Sequence, residues 1–125
     1  MEYRKRLARE RGRLGYKVSE MIIKTISDNE NITYMNNAVE YGVLKISTDE
    51  LLEISVLTTD RGPFEDDHAL VLYFRELVIV IPSEHADYKT FFFDSLTKDF
   101  NVDYTEYIKA MGCTDNAEFL LWKAS

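Results

Sequence analysis

Residues 51–81 read LLEISVLTTDRGPFEDDHALVLYFRELVIVI, and no other stretch restricts the possible folds as strongly. Two β-prone runs flank a polar insert. Residues 69–74 and 77–81 are apolar at both alternating sets of positions, the pattern of strands covered on both faces at the centre of a sheet. Residues 52–56 alternate apolar and polar, which predicts a strand with one wet face. Arg75-Glu76 is the only polar break between the two apolar runs, so a tight hairpin is expected there. The insert itself holds Gly62-Pro63, which predicts a rigid turn with Asp60 bonding backbone amides. It also packs Asp60, Glu65, Asp66 and Asp67 into eight residues. Asp60, Arg61, Phe64, Glu65, Asp66 and Asp67 are therefore the candidate partner-binding residues.

Upstream, residues 18–25 are β-prone and residues 27–31 form a turn cluster. Residues 32–35 read as a short strand, Asn36-Asn37 as a hairpin turn, and residues 38–46 as one further strand, closed by a turn at residues 47–50. Downstream the period changes. Pro82-Ser83 marks a helix entry with Ser83 as cap, and Tyr88, Phe91, Phe92 and Leu96 make one apolar stripe. Phe93 falls off that stripe, free to meet Phe100 or a partner. A second helix opens at Asp103, with Glu106 completing a capping box. Its stripe is Tyr104, Tyr107, Ile108 and Met111, and Gly112 is placed for a left-handed cap. Residues 119–122 return as a last strand. The expected fold is α+β: an antiparallel sheet of six to seven strands with two C-terminal helices on one face.

The chain has 125 residues and 46% apolar side chains, enough for one domain with a real core. Charge divides it in two. Residues 1–17 hold seven basic and two acidic side chains, and residues 18–125 hold eight basic and twenty acidic, so the balances are +5 and −12. The expectation is a basic arm at residues 1–16 and a single domain at residues 17–125. An acidic body attracts basic proteins and repels nucleic acid, while the arm could touch anionic lipid or RNA. The single cysteine, Cys113, together with the lack of a long apolar run or a secretory leader, predicts a cytoplasmic protein.

The turn Thr58-Thr59-Asp60-Arg61-Gly62-Pro63-Phe64, together with the ending Ala110-Met111-Gly112-Cys113-Thr114-Asp115-Asn116-Ala117-Glu118-Phe119-Leu120-Leu121-Trp122, resembles a set of small bacterial proteins of no established function. Those proteins share a T-T-D-x-G-P turn and an A-M-x-x-T-x-N-x-x-F-x-x-W ending. The match spans roughly residues 47–122. This chain departs from the set at Arg75-Glu76, where the others carry a glycine hairpin. It departs again at Lys98-Asp99-Phe100-Asn101, where they read P-G-F-D. The resemblance implies no catalytic residues. The order of elements is also loosely similar to a pleckstrin-homology-type roll.

The remaining chemistry is sparse. Asp60, Glu65, Asp66, Asp67 and His68 lack the alternating spacing of a calcium loop, so no metal is expected. His68 and His85 would need to share a substrate to act as an acid–base pair. Cys113 follows a helix C-terminus, where the dipole disfavours a thiolate. No phosphate-binding glycine loop, dinucleotide fingerprint, nucleophile elbow or CxxC pair is present, so no cofactor or catalytic residue is assigned. The expectation is a non-enzymatic module that binds a protein with a basic surface, of inhibitor or immunity type. The alternatives are a small enzyme with a His/carboxylate site and a peripheral module docking through the basic arm.

Overall fold

The computed structural model describes residues 22–59 and 68–124. The basic arm and the whole acidic run from 60 to 67 lie outside the described residues. The fold is mixed α+β, with eight strands among those residues: β1 (Ile22–Thr25), β2 (Ile32–Met35), β3 (Ala38–Tyr41), β4 (Leu44–Ser47), β5 (Leu51–Thr58), β6 (His68–Phe74), β7 (Leu77–Pro82) and β8 (Ala117–Lys123). Two helical segments separate β7 from β8. The first, α1, runs over residues 88–99 with a π-helical middle at Thr90–Leu96, and the second, α2, is Tyr104–Met111.

The expected single antiparallel sheet is corrected on two counts. The strands divide into a five-stranded sheet, ordered β1-β7-β6-β5-β8, and a three-stranded sheet, β2-β3-β4. The larger sheet is mixed, because β1 runs parallel to β7, with Ile22 opposite Leu77 and Thr25 opposite Val80. The division begins at Gly42. Its φ of +57° opens a two-residue turn that breaks the expected strand over 38–46 into β3 and β4. At the other end of β3, Asn36 and Asn37 take φ of 53° and 61°, the left-handed pair that a tight hairpin requires. Arg75-Glu76 makes the expected hairpin, pairing β6 with β7 through Val71 opposite Val80.

Pleating gives the large sheet two buried faces. Ile54, Val56, Leu70, Leu72, Ile79 and Ile81 point into the main core, where Tyr88, Phe91, Phe92 and Leu96 of α1 cover them. Leu57, Val71, Tyr73, Val78 and Val80 form a second cluster on the opposite face. Strand β5 lies inside that arrangement, and its expected wet face is not wet: Glu53 and Ser55 are each 1% exposed. The small sheet turns Ile32, Tyr34, Val39 and Tyr41 into the main core. It is tied to the turn before α1 and to the end of α1: the Ile32 amide donates to Asp87 Oδ2 (3.0 Å) and the Tyr34 hydroxyl to Asp99 Oδ2 (2.5 Å).

The entry to α1 differs from the expected Ser83 cap. Residues 83–87 form turns, and helix begins at Tyr88. His85 organises this corner. Its Nδ1 accepts from the Asp87 amide (3.0 Å), which leaves Nε2 as the donor to the carbonyls of Ser27 (3.0 Å) and Glu30 (2.8 Å). The π-helical stretch accommodates Phe91-Phe92-Phe93, since a wider turn changes which side chains face inward. Thr97 supports it by donating its hydroxyl to the Phe93 carbonyl (2.8 Å).

Candidate interaction surface

Helix α2 is set by a local signal at its start. The Asp103 carboxylate accepts from the Glu106 amide (3.1 Å), the first half of the expected capping box. The reciprocal half is replaced: the Asp103 amide donates to the Leu121 carbonyl (2.8 Å), and Glu106 takes Lys109. Its end is corrected: Gly112 stays right-handed at φ −91°, and its amide reaches the carbonyls of Ile108 (3.3 Å) and Lys109 (3.2 Å) without a left-handed residue.

The larger correction concerns which way the helix faces. Its only buried residue is Ala110, the small side chain that lets α2 sit close to β8. Tyr107 is half-buried, while Tyr104, Ile108 and Met111 are exposed, Ile108 to 71%. Spaced i, i+4 and i+7, these three line one side of the helix and point to solvent rather than into the core. Single exposed apolar residues are ordinary; a contiguous row of them marks a surface built for contact.

The row joins an aromatic group on α1. Phe93 is exposed and stands edge-on to Tyr107, with ring centroids 5.5 Å apart. Phe93 also meets Phe92 at 4.7 Å, and the hydroxyls of Tyr88 and Tyr107 are 3.2 Å apart. Phe93 therefore contacts Tyr107 and not Phe100, the first of its two expected alternatives; Phe100 packs on Trp122 at 4.8 Å. Edge-on and tilted contacts of this kind are the favoured geometry of aromatic pairs.

Charge borders the patch. Along the helices and the loop after them, Asp94, Asp99, Asp103, Glu106 and Asp115 stand against Lys98 and Lys109, and Lys109 is engaged by Glu106 at 2.9 Å. That pairing raises the Lys109 pKa. The helices that carry the apolar row are thus acidic overall.

Of the expected site residues, Asp60, Arg61, Phe64, Glu65, Asp66 and Asp67 all lie outside the described residues. The residues flanking them are described. The Thr58 hydroxyl donates to the Asp115 carbonyl (2.7 Å) in the loop after α2. On the other side the His68 ring leans on Tyr88 (5.6 Å) and Tyr107 (6.5 Å). Thr58 and His68 are also paired in register, so both anchors of the acidic run border the α2 surface. The two histidines are not brought to one set of partners: His68 contacts aromatic rings, and His85 bonds the carbonyls of the β1–β2 turn.

A second constellation escaped the sequence. On the face of the large sheet opposite the helices, Glu118 accepts hydroxyl bonds from Ser55 (2.6 Å) and from Tyr73. Glu53, paired in register with Tyr73, is buried beside them. Three strands contribute to it, so no local motif announces it. Among the described residues, no group of three or more His, Cys, Asp or Glu side chains is arranged to hold a metal ion.

Together these features define an α+β protein with a split sheet and an outward-facing aromatic and aliphatic helix surface. Comparison of the chain with protein-family models, with curated proteins and with solved structures gave no match.

Proposed function

We propose that this protein is a non-enzymatic binding module whose α2 surface receives a partner protein with a basic, partly apolar face. The observation that carries the reading is the solvent-facing row Tyr104, Ile108 and Met111, joined by Phe93 through Tyr107. Aromatic anchors inside a charged rim are the usual composition of a protein contact. The acidic surroundings select for basic partners and speed their approach. An inhibitor or immunity-type role fits this chemistry, because an acidic, apolar plug is complementary to a basic substrate cleft. The Asp60–Asp67 run adds four carboxylates to the acidic charge of the chain. The single cysteine agrees with a cytoplasmic setting.

The test is binding of a purified, identified partner to the full chain and to two variants. Ile108→Glu with Met111→Glu should weaken binding about 30-fold or more, a hot-spot loss of about 2 kcal/mol, with melting unchanged. Reversal of Glu65, Asp66 and Asp67 to Lys should slow association and flatten its salt dependence. A partner indifferent to both variants would refute the reading.

A further inference from the structure

We propose that the cleft between the two sheets binds a small organic cation with a flat apolar body, an aryl-ammonium compound. This site is separate from the α2 surface and independent of the function proposed for it. The cleft is half open to solvent and has a volume of about 550 Å³, within the size range of small-molecule sites. Tyr41, Leu44 and Ile46 of the small sheet form one wall, and Ile22, Phe74 and Leu77 of the large sheet form the other. Leu44 and Ile22 remain 48% and 68% exposed there, so an apolar guest gains by covering them. Leu44 and Ile46 lie two residues apart on β4 and therefore present their side chains to the same side.

Charge at the mouth selects the head group. Glu50, Arg75 and Glu76 line it, two carboxylates against one guanidinium. Among the described residues none of the three side chains is engaged in an ion pair. The hollow on the other side of the β3–β4 hairpin shares Tyr41 and Leu44 and adds Glu30, Glu40 and Lys45. Of these, Glu30 is held by Lys24 at 2.8 Å. Counting Glu30, Glu40, Glu50 and Glu76 against Lys24, Lys45 and Arg75, the surroundings carry one net negative charge. A cationic head is attracted there and an anionic one repelled.

The experiment is a titration of the isotope-labelled full chain, followed by amide resonances. The two probes are tryptamine and indole-3-propionate, which share the indole body and carry opposite charges. Tryptamine should shift Ile22, Leu44, Ile46 and Leu77, and the propionate should bind about tenfold more weakly. Glu50→Gln with Glu76→Gln, both exposed positions, leaves Arg75 unopposed and should reverse that preference in the variant while the fold is retained. Ile46→Trp should fill the cleft and abolish both responses. Equal or tighter binding of the propionate, or shifts away from these residues, would overturn the proposal. A doubled mass in solution, with Leu44 and Ile46 protected from exchange and silent to tryptamine, would give the cleft to a second copy and overturn it too.

Discussion

Tyr34 shows how one side chain couples two layers. It points from β2 into the main core, yet its hydroxyl donates to Asp99 at the end of α1. Burial first, and the Asp99 carboxylate second, push its pKa up from 10 to about 12. Both favour the neutral phenol in the folded chain. A raised folded pKa means that the associated stability is complete below pH 10, the unfolded value, and is lost as pH rises through about 12. The stability advantage of the natural protein over Tyr34→Phe, read from denaturant melts, should therefore shrink across that window. An advantage constant from below 10 to above 12 would show that the hydroxyl is not linked to folding. The partnership with Asp99 was beyond sequence reasoning, because 65 residues separate the two. The Asn36-Asn37 turn was legible, since its cause lies in the two residues themselves.

The helices make the corresponding point for elements. Both have apolar stripes, but only that of α1 is buried. Phe92→Ala should cost about 3–5 kcal/mol through the cavity it leaves. Ile108→Ala should stay within about 0.5 kcal/mol, as exposed positions do. Parallel urea melts decide this, and a large loss for Ile108→Ala would return α2 to the core. Periodicity states which residues share a side; it does not state what that side meets. The same limit explains β5, where alternation at Glu53 and Ser55 was read as contact with water. Their burial depends on Tyr73 and Glu118, which arrive from other strands. The break between β3 and β4 has its cause in Gly42, a signal masked by the continuously β-prone residues around it.

At the scale of the molecule, the order of strands puts the first and last described strands at opposite margins of one sheet. The pairing of β1 with β7 is parallel and spans more than fifty residues, which is why no local pattern could reveal it. Strand β8 shields β5, whose residues from Glu53 to Thr58 are all buried. Ending the chain before Ala117 should leave β5 as a bare edge and produce aggregates in light scattering. A monomeric, folded product would show that β8 is dispensable. The single tryptophan, Trp122, belongs to that marginal strand and packs on Phe100 at 4.8 Å. The protein's tryptophan fluorescence therefore reports the seam between β8 and the segment after α1, because the inner strands carry no tryptophan.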